Sequence, residues 1–471
     1  MDKGSKIDEI IEERANGDRI ITRARYPHVF REGLDRSVVE EISEIKGEPE
    51  WMRRFRLKAL EIFNSKPMPN WGPPLDIDFN RIRYYVLPDE VKARRWEDLP
   101  EEIRETYEKL GIPEIERKYL SGSVAQLDSE GVYANIKRQL EEKGVIFLDS
   151  DSALKKYPDL FKEYFFRIVP VMDSKFSALN GAVWSGGSFI YVPENVRVDL
   201  PLMTYFRMNM MQEGQFEHTI IIAEKGSYVS YIEGCTAPIY NVTSLHSAVV
   251  EVYVKENAHV KFTTVQNWSR DILNLSTERA RVERMGRMEW VSGSLGSRVT
   301  MLYPSSYLVG EGATASHLSI SLASDHTWKD NGSKVIHFAP NTSSKIISKS
   351  ISLKGGTTVF RGLVRIPKGS FNSVSHVQCD ALILDESSRN FTFPHNEVYE
   401  ESATVTHEAS AGRIGEEQLF YIMSRGLTED EARSMIVLGF LDDVMKEIPL
   451  EFSLELNRLI KLKISELGGT G

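Results

Sequence analysis

Cysteine is almost missing from this chain: 471 residues contain two, Cys235 and Cys379. So few thiols exclude a disulfide framework and any zinc knuckle built on CxxC pairs. No stretch approaches the ~20 apolar residues of a membrane span, and the N-terminal MDKGSKIDEIIEERANGDR lacks the apolar segment of a secretory signal. A cytoplasmic protein with no membrane partner is expected. Positive charge is in deficit, with 58 Lys and Arg against 68 Asp and Glu, a net charge of −10. Nucleic acid is therefore not an expected partner, because that affinity rests on neutralising phosphates with Lys and Arg. Enzyme signatures are missing as well: there is no GxxxxGK followed by Ser or Thr, no HExxH, no GxSxG and no dinucleotide fingerprint behind a strand. The chain is not expected to be an enzyme, and in particular not to hydrolyse ATP through a P-loop.

What is present divides into three regions. An apolar fraction of 41% with 27% charged residues leaves room for a large core and two or three domains. Residues 1–170 read as mainly helical. Ser37 and Glu40 have capping-box spacing, Trp51, Met52, Phe55, Ala59, Ile62 and Phe63 recur at helical intervals, and further helices are predicted over 99–110 and 131–143. The Pro-rich KPMPNWGPPL at 66–75 must be a loop. Residues 171–400 change to short alternating runs such as HTIIIA, SYVSYI and SKIISKSISL, the period of two that marks strands. Turns with Gly or Asn at 195, 226, 257, 286, 312, 341 and 369 recur every 26–31 residues. A parallel β-helix, a solenoid with one coil per repeat, accounts for that period. Residues 401–471 return to helix, with Thr428 and Glu431 as a capping box and a second amphipathic helix expected after Pro449. Two such helices must cover their apolar faces on the solenoid, on each other or on a partner.

The two thiols fall at nearly one phase of the repeat, nine and ten residues past their turns and five coils apart. At about 4.8 Å per coil that is roughly 24 Å, too far for a disulfide. The position nine past the other turns holds Thr204, Gln266, Leu295, Ser321 and Ser350, a mostly polar column. Alternation alone leaves open whether this column faces the interior or solvent. Arg207, Asn209, Gln266 and Trp268 lie on neighbouring strands and are candidates to line the same path. His407 and Glu408 follow Cys379 by about one repeat, so thiolate, imidazole and carboxylate can converge at the C-terminal end of the solenoid. Such a set can ligate iron or a cluster. A full set of thiolate ligands for an iron–sulfur cluster takes four cysteines, so mixed ligands or a second subunit would be needed. The alternative for each cysteine is a buried small hydrophobe, and for His407 and Glu408 a polar junction between strand and helix.

At these residues the chain resembles the SufB branch of the SufB/SufD family of the SUF iron–sulfur cluster assembly system. The runs that carry the likeness are KPMPNWG, ALNGAVWSGGSFIYVPENV, GQFEHTIIIAEKGSYVSYIEGCTAP, VQNW, QCDALIL, THEASAGRIGEEQLFYIMSRG and SMIVLGF. The resemblance implies a mainly β fold, a right-handed parallel β-helix between helical ends, acting as a scaffold for cluster assembly. It implies that Cys235 receives sulfur, that the sulfur travels inside the β-helix, and that Cys379 and Glu408, with His407 nearby, hold a transient cluster of the 4Fe–4S type. Implied partners are the ABC-type ATPase SufC docked on the C-terminal helices, SufD or a second SufB subunit paired through the β-helix, and a sulfur donor such as a cysteine desulfurase. A reduced flavin is a further cofactor that no motif here settles. The competing expectation is a SufD-like structural subunit that supports a cluster held elsewhere. Many relatives carry an N-terminal cysteine cluster, and its absence here excludes a cluster site in that region.

Overall fold

Asn195, Gly226, Asn257, Gly312, Asn341 and Gly369 all adopt positive φ, between 55° and 94°. Gly and Asn tolerate this left-handed region best, which is why they punctuate the chain. In the computed structural model, which describes residues 22, 24–88, 92–110, 112–240, 242–447, 453, 457, 460, 461 and 464, each of these turns reverses the chain between two facing parallel sheets. The result is a β-solenoid of about eight turns. At the fourth turn the left-handed residue is Met285, φ 55°, rather than the adjacent Gly286, and at the last turn Asn372, φ 55°, joins Gly369.

One sheet carries both cysteines. Its strands run Leu202–Arg207, Tyr228–Thr236, His259–Asn267, Arg287–Ser294, Thr314–Ala323, Ser343–Ser352, Val374–Ile383 and Thr404–Arg413, each parallel to the next. The facing sheet includes His218–Ala223, Val249–Val254, Ile272–Val282, Trp328–His337, Thr357–Ile366 and Arg389–Val398. Its early strands are buried at every residue. Ile221, Val250 and Val252 fill the interior, while Ile220, Ile222 and Val249 pack outward on Phe161, Phe165 and Trp184 of the N-terminal region. Strands buried on two faces are rich in aliphatic residues for that reason. The final strands of both sheets, Arg389–Val398 and Thr404–Arg413, are largely exposed and end their sheets.

The N-terminal region departs from the expected helices in two places. The helix Arg36–Lys46 is capped by Asp35, whose carboxylate accepts from the Val38 amide, so Ser37 is not the cap. The expected helix over 131–143 is instead the strand Glu130–Ile136 followed by the short helix Arg138–Glu141. Pairing with Gly122–Leu127, itself hydrogen-bonded to Leu202–Arg207, caps the first coil and overrides local helical propensity. The helix Glu50–Ser65 forms as its periodicity predicts, and buried Arg56 ties it down by pairing with Glu48 and donating to the carbonyls of Ala182 and Trp184. At the other end, the expected return to helix from 401 is delayed: Thr404–Arg413 pairs in parallel with Val374–Ile383 and completes a coil, and helix resumes at Glu416. The Thr428 capping box is formed, and the helix Glu429–Met445 lays Val437 and Leu441 in one apolar cluster with Ile320, Leu322 and Ile351. Of the helix expected after Pro449, the described residues 453, 457, 460, 461 and 464 are helical, and Ile460 and Ile464 join the same apolar cluster.

Candidate functional site

Strand register fixes which side chains stack. Cys235 aligns with Gln266, then Ser294, Ser321, Ser350 and Ala381 on successive strands. The Leu295 exception disappears because the fourth turn pivots on Met285, and Cys379 stands two residues short of this column because the last pivots on Asn372. Cys379 belongs instead to the parallel column of Glu233, Thr264, Ser292, Ser319 and Ser348. Positions two apart share a face of a strand, so both thiols point the same way. That way is inward. The Cys235 column is bonded across the interior to the facing sheet: Asn274 Nδ2 donates to Gln266 Oε1, Asn331 Nδ2 to Ser321 Oγ at 2.7 Å, and Asn390 Nδ2 to Ser350 Oγ at 3.2 Å.

Around Cys235 lie Phe206, Met208, Ala237, Trp268 and Ile272. Trp268 also meets His246, ring centroids 4.6 Å apart and planes tilted by 39°. Gln266 and Trp268 are thus neighbours of the thiol. Arg207 is not on that path. It aligns with Thr236, one residue on from Cys235 and therefore on the opposite face, and its Nη1 donates to Thr236 Oγ1 at 2.8 Å. Asn209, beyond the strand end, holds the N-terminal segment: it accepts from the Thr22 amide and donates to the Thr22 carbonyl, both at 2.8 Å, and donates to the Tyr26 hydroxyl.

The sequence reading missed an acidic chamber beside Cys235. Glu217, Glu233, Glu278 and His246 are all buried there. His246 Nε2 pairs with Glu217 Oε2 at 2.9 Å, and its Nδ1 meets Asn274 Oδ1 at 2.8 Å. The only signal was period-two placement, which puts Glu233 and Cys235 on one face. Burial, and then the negative charge of Glu233, Glu217 and Glu278, push the Cys235 thiol far up, so the resting group is a neutral thiol. Lys329 is also interior, fully buried, and donates to the carbonyls of Gly296 and Ser297.

At the other end, Cys379 Sγ lies 3.5 Å from His407 Nε2 and donates to the Glu408 carbonyl at 3.6 Å. The thiol is pushed up to about 11, by burial first and by Asp380 second, and burial lowers the His407 imidazole. His407 aligns with Val377 and Glu408 with Gln378. The pleat therefore puts His407 on the Cys379 side of the strand and the exposed Glu408 carboxylate on the other, so the three expected groups do not converge. Among the described residues no three His, Cys, Asp or Glu side chains are placed to hold a metal ion. Two soft or borderline donors, one thiol and one imidazole, suit iron or a sulfide cluster as cargo, and they leave the remaining positions to be filled from outside this chain.

Residues 206–440 match the family model described as SUF system FeS cluster assembly, SufBD core domain, and residues 118–203 match the SufBD protein N-terminal region. The chain is 54% identical over 439 residues to an iron–sulfur cluster assembly SufBD family protein of Staphylococcus epidermidis, covering 93% of this chain and 94% of that one. The corresponding proteins of Staphylococcus haemolyticus and Staphylococcus aureus are 54% and 53% identical with the same coverage.

Proposed function

Because the chain belongs to the SufBD family of iron–sulfur cluster assembly proteins, we propose that it is a scaffold subunit of the SufB kind. It takes sulfur at Cys235, passes it along the interior of the solenoid, and builds a nascent cluster, its cargo, at Cys379. The observation that carries this reading is the 3.5 Å approach of Cys379 Sγ to His407 Nε2 at the open end of the solenoid, where, among the described residues, both sheets end in strands whose outer edges are unpaired. An exposed strand edge is a template for a second chain. Phe391, Phe393 and Val398 stand exposed along it, as expected of a surface that pairs with SufD or a second copy. That partner supplies the missing ligands. Glu408, on the outer side of the edge strand, becomes a ligand only when that strand repacks against the partner.

ATP hydrolysis belongs to a SufC-type partner. The helices Glu416–Met423 and Glu429–Met445 expose Phe420, Tyr421 and Met435 while the second anchors to the solenoid, a surface suited to docking it. Sulfur arrives from a cytoplasmic donor such as a cysteine desulfurase. The test is anaerobic reconstitution of the assembled complex with iron and sulfide, followed by absorption spectroscopy. Cys379→Ser should abolish the cluster absorbance. Cys235→Ser should retain it with free sulfide and lose it with an enzymatic sulfur donor. A normal cluster in the Cys379→Ser, Glu408→Ala double variant would assign this chain the SufD-like supporting role instead.

A further inference from the structure

The acidic chamber poses a problem of charge. Glu217, Glu233 and Glu278 are buried with one imidazole, His246, and three carboxylates cannot all be ionised against one cation there. The chamber also holds polar atoms that lack a partner: among the described residues, Glu278 Oε2, the Trp268 Nε1 and the hydroxyl of Thr264 have no hydrogen-bond partner. Thr264 is the immediate neighbour of Glu233 in its column. Unmatched buried polar groups are costly for a merely structural core, and they offer hydrogen-bond partners to a passing polar species.

Cys235 shares this chamber, and as a neutral thiol it cannot attack sulfur. We propose that Glu233 is the proton acceptor that activates Cys235 when sulfur arrives, a role that rests on the sulfur-acceptor reading of Cys235 given above. The two residues are two apart on one strand and on the same face, about 6.6 Å along the strand, a gap that the carboxylate spans directly or through one water. Glu233 Oε1 accepts from the Tyr231 hydroxyl at 3.1 Å and the Thr219 hydroxyl at 3.3 Å, which hold the carboxylate in the interior. The remaining titratable groups facing it are Glu217 and His246, already paired with each other, and Glu278. Burial, and then the charge of Glu217, push the Glu233 carboxyl up to about 8. A base poised there accepts a proton near neutral pH and releases it again.

The step balances without an outside oxidant or reductant. The Cys235 thiol proton passes to Glu233, and the thiolate attacks the terminal sulfur of a donor persulfide. A new bond forms between Cys235 Sγ and that sulfur as the donor's own S–S bond breaks, and the donor thiolate takes the proton from Glu233. Cys235 leaves as a persulfide and the donor as a thiol.

The test uses the full chain carrying Cys379→Ser, so that one thiol remains, with glutathione persulfide as donor. Persulfide on Cys235 is read by mass spectrometry after rapid alkylation, from pH 6 to 9. The parent rate should rise with pH through a limb near 8. Glu233→Gln should slow the reaction about 100-fold at pH 7 and remove that limb. Tyr231→Phe keeps the ring and removes a hydrogen bond that favours the ionised carboxylate, so it should move the limb to higher pH. Folded Glu233→Gln with the parent's rate and limb overturns the proposal. If that variant fails to fold, an unmoved limb in Tyr231→Phe does so. Absence of sulfur on Cys235 in the parent overturns both this role and the reading it rests on, whereas an unmoved limb overturns this role alone.

Discussion

Glu233 and Cys379 occupy one column of the same sheet, five strands apart, with Thr264, Ser292, Ser319 and Ser348 between them. Cys235 heads the neighbouring column, which continues through Gln266, Ser294, Ser321 and Ser350. Two lanes of hydroxyl and amide groups thus run side by side for roughly 24 Å from the acidic chamber to the open end. A solenoid core needs no such lanes, since the next column on one side, Tyr231, Phe262, Trp290, His317, Ile346 and Val377, is mostly apolar. Polar groups are kept here at a cost, which is the physical ground for reading them as a route.

If sulfur follows these lanes, Gln266→Leu should block it just past Cys235. The change also strips Asn274 Nδ2 of its Gln266 acceptor, which should cost about 1–3 kcal/mol and lower the unfolding midpoint without preventing folding. Sulfur should still load on Cys235, while cluster absorbance supplied by an enzymatic donor falls several-fold and reconstitution from free sulfide is unaffected. Equal loss with both sulfur sources would mean the substitution harms the cluster end, not the route.

The docking surface can be probed more cleanly by substitution than by truncation. Removing residues from 428 onward would uncover Ile320, Leu322 and Ile351, which the helix Glu429–Met445 covers, and aggregation would confuse the result. Phe420→Glu and Tyr421→Glu alter side chains that are 74% and 59% exposed, so stability should change by less than about 0.5 kcal/mol. Association with the ATPase, measured by co-purification, should be lost. Retained association would move the interface elsewhere.

The solenoid was legible because its signals are local. Gly and Asn at left-handed turns and alternation within strands are written in single residues, and their spacing survives any detail of packing. The departures have equally specific causes. Met285 and Asn372 shifted two turns by one to three residues, which moved Cys379 out of the column that counting from Gly369 assigned it. Arg207 and Glu408 were misplaced because each lies one residue from the face that matters, and a period of two turns one residue of error into the opposite side of the sheet. The chamber of Glu217, Glu233, Glu278 and His246 assembles from four separate strand or turn segments, a convergence that only register reveals.

Met285 offers a stability test of that turn. A methionine at φ 55° is strained by about 1–2 kcal/mol, and its side chain is 55% exposed, so little burial opposes its removal. Met285→Gly should raise the urea midpoint, the relief of strain outweighing the added freedom of the unfolded chain. Asn257→Val, at φ 55° in the equivalent turn, should lower it by a comparable amount. A destabilised Met285→Gly would mean that contacts of the methionine with the neighbouring turn matter more than the backbone.

Lys329 gives the pH dependence its sign. Its amine ordinarily titrates at 10.5, and burial pushes it down to about 7. Below pH 7 the amine is charged in both the folded and unfolded chain, so it adds no slope, and the full cost of burying the charge is borne. Between about 7 and 10.5 the unfolded chain holds a proton that the folded chain has released, so stability rises with pH, by at most about 1.4 kcal/mol per unit. Lys329→Met removes this contribution, together with the amine's bonds to the Gly296 and Ser297 carbonyls. Urea midpoints measured from pH 7 to 9.5 should therefore climb more steeply for the parent than for Lys329→Met. Parallel curves would mean that those carbonyls keep the amine charged inside the solenoid, and that the interior carries a fixed positive charge between the two cysteines.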